Sequence, residues 1–367
     1  MKNKWEVTII SPLHISSGEK YQLGIDSVIN NSNLYVIDLD KLTNHVSAKE
    51  ISREMGKGDF DIRKYLRSKN IRLEDVSLER ISIDGRCEGN PEILSFIKNA
   101  YLEPYIPGSS IKGAIRTALL CYIIKNEKRV AYIKQKLLEK INEYRQRDLK
   151  PKKTKTKIGK VVEETIYAGK ERDAKYDLLK AIKLSDSPRI GNESTAIYNI
   201  KVHKSNRLKD VKIFAQCVKP QTKTEIWTIK DDYFIQNKDK LGFKYSEYLE
   251  KIADACNEFA KRYREHELKF YQDSYSHEVK EFYEKLKIPD GKDEFLIHLG
   301  WGSGWLGMTI GLLLKDDKNL LTEILDYYEL DKYRLGVDFP KSRKVVCDAE
   351  GTPKMPLGWA KVKIVKI

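Results

Sequence analysis

Residues 101–120 of the chain read YLEPYIPGSSIKGAIRTALL. A short strand is predicted to end at Pro107, and Ser109 or Ser110 is predicted to cap a helix that continues to about Lys125. Apolar residues recur at four-residue intervals along this helix and form its buried stripe, namely Ile111, Ile115 and Leu119. The stretch therefore predicts a strand, a tight turn and a helix that packs one face against a core.

The start of this helix is a candidate anion site. The first turn of a helix presents unpaired N–H groups and a partial positive charge. Lys112 and Arg116 lie four residues apart on one face, and Gly113 lets another backbone approach closely. With the hydroxyls of Ser109 and Ser110, these residues predict a phosphate cradle that reads charge and shape rather than bases. An ordinary capped helix with two solvated cations is the alternative.

Strand-like and helix-like patterns alternate in the rest of the chain. Apolar and polar residues alternate from Trp5 to Ile9, which predicts a strand. Strand patterns return after Pro188, and a long helical region is predicted from Ser246 to about Leu286. The chain closes with a predicted strand from Trp359 to Ile367. This order indicates the α+β class.

Lysines are concentrated in the middle of the chain. Between Lys150 and Lys160 there are six lysines and no acidic residue. Such a run is typical of a solvated segment, and we predict a mobile basic loop here. A plain linker is the alternative.

The overall charge favours a polyanionic partner. The chain of 367 residues carries 68 Lys and Arg against 54 Asp and Glu, a formal net charge of +14. Nucleic acid is the first expectation and an anionic membrane surface the second, while a merely basic surface is the alternative. No stretch is apolar enough for a membrane span. The five cysteines are scattered without a C-x-x-C pair, which favours a reducing cytoplasm over a zinc site or disulfides.

A glycine motif follows a predicted strand near the C-terminal end. Gly302-x-Gly304-x-x-Gly307 has the spacing of a dinucleotide-binding turn. Such a unit needs a second parallel strand about 20 residues further on, and residues 320–330 have a helical pattern instead. We therefore expect the turn, with Gly302, Ser303 and Gly304, to approach phosphates. Trp301 and Trp305 would stack on bases, or alternatively pack in the core.

Two residues near the N-terminus are weak catalytic candidates. His14 lies near the end of the first strand, and Asp26 lies beyond a loop that could face a bound strand. A carboxylate there would position a metal ion or activate a 2′-hydroxyl. A turn residue is the alternative for Asp26, and a packed or RNA-contacting ring the alternative for His14.

Several of these segments resemble a known family. The segment Ile106 to Leu119 is similar to the signature of RAMP proteins, the RRM-like subunits of CRISPR systems, and Leu13 to Ser27 resembles the front of that family. The segments Phe339 to Val345 and Pro356 to Lys361 are similar to one branch. That branch is the large Csm subunit that caps the 3′ end of the crRNA in type III-A complexes.

The resemblance implies tandem ferredoxin-like (RRM-like) RAMP domains with inserted helices. We divide the chain into three segments: 1–149 as an N-terminal RAMP domain, 150–184 as a basic linker or loop, and 185–367 as a C-terminal RRM-like domain with a long helical insertion. The residues expected to contact RNA, on the resemblance and on the basic and glycine-rich segments, are Gly108, Ser109, Ser110, Lys112, Arg116, His14, Ser16, Ser17, Gly302, Ser303, Gly304, Lys341 and Arg343.

Two specific functions remain open from the sequence, beside a basic scaffold whose charge only aids assembly. The first is a non-catalytic crRNA-binding subunit that caps the 3′ region of crRNA and supports crRNA maturation and antiviral defence. Its expected partners are crRNA, target RNA, other Csm subunits (the repeated backbone subunit above all) and cellular nucleases, with no membrane and no cofactor. The second is a RAMP-type endoribonuclease that processes precursor crRNA or cleaves target RNA through Asp26 or His14. Mg²⁺ is expected only for that nuclease.

Overall fold

The computed structural model describes residues 2–87, 91–171, 173–204, 207–272, 274–330 and 339–366. Its strands lie in both halves of the chain: β1 Lys2–Ile9, β2 Ser16–Tyr21, β3 Ser27–Asn30, β4 Asn33–Ile37, β5 Ser77–Asp84, β6 Glu92–Phe96, β7 Ile182–Leu184, β8 Thr195–Lys204, β9 Arg207–Val218, β10 Lys223–Lys230, β11 Glu294–His298, β12 Ser342–Cys347, β13 Pro353–Pro356 and β14 Trp359–Lys366.

The helices fill the gaps between these strands: α1 Leu39–Thr43, α2 Ala48–Met55, α3 Ile62–Ser68, α4 Gly108–Asn126, α5 Val130–Gln146, α6 Pro151–Tyr167, α7 Asp232–Gln236, α8 Lys238–Leu241, α9 Ile252–Phe270, α10 His277–Lys285, α11 Gly304–Met308, α12 Gly311–Leu314 and α13 Lys318–Tyr327. Sheets and helices are thus both extensive, and the predicted α+β class is confirmed.

The first sheet is organised around β1. It has five strands in the order β11-β14-β1-β10-β7, and each neighbouring pair is antiparallel. The predicted alternation of β1 is confirmed, because Trp5, Val7 and Ile9 are buried on one face while Lys4 and Glu6 are solvent-accessible on the other. Side chains alternate across a strand, so the apolar face of this sheet is available to pack against helices.

A second sheet of nine strands contains the order β2-β6-β9-β8-β5-β4-β3, with β12 joined to β8 and β13 to β12. The pairs β5–β8 and β6–β9 are parallel and the others antiparallel. Each sheet draws strands from both sides of residues 150–184. The division at residues 149 and 184 stays a prediction.

The helix predicted from residues 101–120 is α4. Its predicted stripe of Ile111, Ile115 and Leu119 is buried in the same cluster as the apolar face of β1. The predicted cap is wrong: Pro107 is the N-cap residue of α4, which begins at Gly108, and no side chain caps the helix. Proline suits this position because it has no N–H to leave unpaired.

The predicted loop at Lys150–Lys160 is also wrong, because this segment belongs to α6. Pro151 occupies the first turn, and lysine is itself a good helix former. Every fourth residue of α6 faces inward, namely Thr154, Ile158, Val162 and Ile166. The solvent face of this amphipathic helix carries Lys152, Lys153, Lys157 and Lys160, which are exposed. No helix in the described parts of the chain has the length and apolarity needed to cross a membrane.

Candidate nucleic-acid interface

An open groove of about 530 Å³ brings three sequence motifs together. One wall is the second and third turns of α4, another is the start of β2, and the floor is the glycine turn after β11. A residue of α6 completes the rim. The lining residues are Ile15, Ser16, Ser110, Gly113, Ala114, Arg116, Thr117, Glu163, His298, Leu299, Gly300, Trp301, Ser303, Gly307 and Met308. Motifs far apart in sequence thus face one surface.

The N-terminus of α4 is already occupied by the protein itself. The Gly108 N–H donates to Oδ1 of Asp186 at 2.8 Å, so a carboxylate takes the predicted anion position. A Cβ atom on Gly108 would overlap the carbonyl oxygen of Ser185. Gly108 therefore serves close packing rather than access for a ligand. Ser109 is exposed, and Ser110 lines the groove.

The two predicted cations of α4 are engaged internally. The Lys112 ammonium donates to the carbonyl oxygen of Ile182 at 2.8 Å, and its burial lowers the pKa of that ammonium. Arg116 donates from Nε to Glu163 at 2.8 Å and from Nη1 and Nη2 to Asp177 at 3.1 and 2.8 Å. These bonds tie α4 to β7 and α6, so the predicted phosphate cradle is not formed by free cations. Contact of either side chain with RNA stays a prediction.

Gly113 is open towards the groove. A Cβ atom added there would meet no atom within 4 Å, and the residue has an ordinary helical φ. Glycine inside a helix costs about 1 kcal/mol relative to alanine. Nothing in the described part of the chain requires that cost, and the bare backbone faces the lining of the groove. This is the position where an external backbone can approach most closely.

The glycine turn is held against the segment after β1. Gly300 has a φ of +77°, and a Cβ atom there would overlap the carbonyl oxygen of His14. That same oxygen accepts from the Trp301 N–H at 2.8 Å. The short helices α11–α13 follow the turn, and β11 pairs antiparallel with β14. The rejection of a dinucleotide-binding unit is therefore confirmed.

The predicted contacts within this turn differ in exposure. Gly302 packs on Leu357, whose Cβ would lie 2.8 Å from an added Cβ. Ser303 is buried, and its hydroxyl donates to the Gly300 carbonyl at 2.8 Å. Gly304 is exposed, with a φ of +61° and open space around it. Of these three, Gly304 is the residue whose backbone a ligand can reach.

The two tryptophans of the turn take different places. Trp301 is partly exposed and lines the groove, with the Lys344 ammonium 4.7 Å from its ring centroid. Trp305 lies partly buried against the core, where it contacts Phe339 edge to face. The stacking alternative therefore fits Trp301, and core packing fits Trp305.

The two catalytic candidates have structural positions. His14 is fully buried, its Nδ1 lies 2.7 Å from the Gln216 carbonyl oxygen, and burial lowers the pKa of its ring. Because the ring is buried in this structure, the RNA contact and the acid–base role of His14 stay predictions. Asp26 sits in a turn, where its Oδ1 accepts from the Gln22 N–H at 2.7 Å. No cluster of three metal-binding side chains is found among the described residues.

Ser16 and Ser17 begin the exposed strand β2. Their hydroxyls accept from the N–H groups of Gly18 and Glu19, each at 3.0 Å. Ser16 also lines the groove. Both residues keep accessible positions beside α4 and the glycine turn, and their contact with RNA stays a prediction.

The two predicted residues of the basic segment at 341–344 differ in burial. Arg343 is buried and its Nε lies 2.8 and 2.7 Å from the two carboxylate oxygens of Glu267, and its contact with RNA stays a prediction. Burial by itself would raise the pKa of Glu267, but Arg343 outweighs it and holds that pKa at about 2. Lys341 is half-buried. Lys344, which was not predicted, places its ammonium 4.7 Å from the ring centroid of Trp301, a residue that lines the groove.

His298 at the floor of the groove is expected to make stability depend on pH. Its Nε2–H donates to Leu357 at 2.8 Å, and burial lowers the pKa of the ring to about 4. The unfolded state takes up a proton near pH 6.5 while the folded state does not, so stability falls as the pH falls. We expect wild type to lose about 2 kcal/mol more than His298→Phe between pH 7 and pH 5 in urea unfolding.

The exposed His45 supplies the control for this experiment. His45→Phe is expected to keep the pH dependence of the wild type. An identical pH dependence in His298→Phe and wild type would contradict a buried, neutral His298.

Comparison with known proteins identifies the family of the chain. Residues 6–307 match the family model of the RAMP superfamily. The chain belongs to the RAMP superfamily, as its sequence motifs predicted. Its relatives include the CRISPR system Cms protein Csm5 of Methanocaldococcus jannaschii, 27% identical over 394 residues and covering 98% of this chain and 88% of that protein. Csm5 of Streptococcus thermophilus is 26% identical over 324 residues, covering 82% and 78%. The predicted resemblance to a Csm subunit is confirmed.

Solved structures of Csm proteins have the same fold as this chain. A chain of the cryo-EM structure of a Csm–crRNA–target RNA ternary complex from a type III-A CRISPR–Cas system superposes with a TM-score of 0.70 at 25% identity, covering 99% of this chain and 100% of that one. The crystal structure of T. onnurineus Csm5 has the same fold, with a TM-score of 0.69 at 24% identity and coverage of 97% and 99%. The predicted tandem RAMP architecture is therefore confirmed.

Proposed function

We propose that this protein is a crRNA-binding subunit of a type III-A CRISPR (Csm) complex and that it holds RNA in the groove between α4, β2 and the glycine turn. The groove carries the proposal, because it joins the motifs of the RAMP superfamily on one accessible surface. The chain also aligns over nearly its whole length with a chain of a Csm–crRNA–target RNA complex. The net charge of +14 favours such a polyanionic partner.

Each wall of the groove has a distinct task in this proposal. The backbone at Gly113 in the groove, and at the exposed Gly304 next to the lining residue Ser303, lets the sugar-phosphate chain approach closely. Ser16, Ser110 and Thr117 offer hydroxyls to phosphate or ribose oxygens. The ring of Trp301, with the Lys344 ammonium against it, provides a stacking surface for a base.

The position within the complex follows from the resemblance to the capping branch. The protein would hold the 3′ region of crRNA, contact the repeated backbone subunit and target RNA, and support crRNA maturation with the help of cellular nucleases. A cytoplasmic location accords with this role and with the scattered cysteines. Both residues named for the ribonuclease alternative hold structural positions, since His14 is buried and Asp26 accepts a hydrogen bond within a turn.

The substitution Gly113→Leu tests the groove. Its Cβ has open space, so the fold is expected to persist while the larger side chain narrows the groove. We expect at least a tenfold weaker affinity for single-stranded RNA, about 1.4 kcal/mol, measured by fluorescence anisotropy at fixed salt.

Gly58→Leu is the matched control, because Gly58 also has open space around its Cβ position and lies outside the groove. It is expected to bind RNA like the wild type. Equal affinities of Gly113→Leu and wild type would place the RNA elsewhere. A wild-type protein that neither binds RNA nor co-purifies with crRNA from its host would refute the proposed function.

A further inference from the structure

A second cavity opens beside the groove. This chamber of about 260 Å³ lies between α4, α5, α6 and the segment from α11 to α13. Its lining is mainly apolar and includes Leu120, Leu137, Ile158, Val162, Trp305 and Ile324. The volume exceeds that of a purine ring. An apolar, partly aromatic chamber of this size suits a flat, poorly charged ring system.

The chamber and the groove share a lip. Both cavities are lined by Arg116, Thr117, Glu163 and Met308. The chamber therefore adjoins the proposed RNA site. The side chain of Met308 is 67% exposed at this lip. A group that leaves the groove at this point meets the apolar lining directly.

A second open helical glycine faces this chamber. Gly159 lies inside α6, lines the chamber, has an ordinary φ, and would have no atom within 4 Å of an added Cβ. Like Gly113 in α4, Gly159 lowers the stability of its helix relative to alanine, and no described residue packs so closely that only glycine would fit. Helices α4 and α6 thus each contain a glycine with open space at its Cβ position, Gly113 at the groove and Gly159 at the chamber.

The charges at the lip favour entry of the base of a nucleotide over entry of its phosphate. The Arg116 guanidinium is shared between the carboxylates of Glu163 and Asp177, so the lip offers no surplus positive charge. A phosphate group would gain little here and would meet the carboxylate of Glu163. An uncharged base with exocyclic amino groups suits such a lip, and the apolar walls suit its ring.

We propose that the chamber receives one unstacked nucleobase of the RNA strand in the groove, with the sugar-phosphate chain passing over Gly113 and the base passing the lip towards Trp305. This inference rests on the proposed function. Removing a base from its stack costs a few kcal/mol, and stacking and burial in a protein pocket offset that cost. The chamber would hold one nucleotide in register without reading the rest of the sequence.

Filling the chamber tests the inference. Gly159→Leu places an apolar side chain at its wall without a clash and improves helix propensity, so the fold is expected to persist. The probes are an oligoadenylate of about 12 nucleotides, within the footprint of single-strand-binding domains, and an abasic ribose-phosphate oligomer of the same length. We expect Gly159→Leu to weaken binding of oligoadenylate about five- to fiftyfold and to bind the abasic oligomer within twofold of wild type.

Gly291→Leu is the control, since Gly291 has the same open surroundings away from both cavities. It is expected to match the wild type on both probes. Wild-type affinity of Gly159→Leu for oligoadenylate, or an equal loss on both probes, would overturn the base-binding chamber. In either case RNA binding by the wild type would leave the proposed function standing, whereas a wild type that binds neither probe and does not co-purify with crRNA would refute the proposed function itself.

Discussion

Replacing Glu267 with alanine is expected to lower the free energy of unfolding by about 3–5 kcal/mol. Glu267 on α9 and Arg343 on β12 form a buried ion pair, with the carboxylate fully buried and the guanidinium 4.1 Å from the Phe270 ring centroid. Removing the carboxylate leaves the guanidinium in an apolar environment without its counter-charge. The loss therefore reflects the desolvation of Arg343 more than the attraction within the pair.

Urea unfolding of three variants checks this expectation. Asp75→Ala breaks the exposed Arg72–Asp75 pair and is expected to cost less than about 1 kcal/mol. The double variant Glu267→Leu with Arg343→Met removes both charges and is expected to lose less than Glu267→Ala alone. A loss below 1 kcal/mol in Glu267→Ala would show that water or another group solvates Arg343.

Two glycines of one helix are expected to respond in opposite directions to alanine. Gly108→Ala would push a methyl group into the backbone of residues 184–185, with the carbon of Ser185 only 2.8 Å and the oxygen of Leu184 2.9 Å away. It would also disturb the 2.8 Å bond from the Gly108 N–H to Asp186. We expect a loss of about 3 kcal/mol in the free energy of unfolding.

Gly113→Ala meets open space on the same helix and is expected to raise the free energy of unfolding by up to about 1 kcal/mol. Thermal unfolding of both variants beside the wild type measures the two effects. Equal changes in the two variants would contradict the assignment of Gly108 to packing and Gly113 to the groove.

The sequence was most informative where a pattern is local. The stripe of Ile111, Ile115 and Leu119 predicted α4, because helical burial follows from spacing alone. The roles of Gly108 and Lys112 depend on residues 182–186, which are distant in sequence and meet α4 only in the folded chain. No local pattern contains that information.

For β12 and α6, a local periodicity in the sequence does predict which residues are buried. In β12, Val345 and Cys347 are buried on one face, and alternation places Arg343 on that same face and Lys344 on the other. Alternation from Val345 therefore predicts that Lys344, rather than Arg343, lies on the more accessible face of β12. In α6 the four-residue spacing from Thr154 to Ile166 was hidden by the lysines between them. In that segment the four-residue periodicity, not the charge, predicts the helix.

The pairing of β1 sets the timing of folding during synthesis. Its two partners are β10 and β14, at residues 223–230 and 359–366. At about 5–20 residues per second, roughly 20–70 s separate translation of the first strand from that of its last partner. Until then Trp5, Val7 and Ile9 lack their complete sheet, and a ribosome-bound chain would present an unpaired apolar edge. The first sheet is therefore completed only late in synthesis, and stalled or prematurely terminated chains are expected to be aggregation-prone.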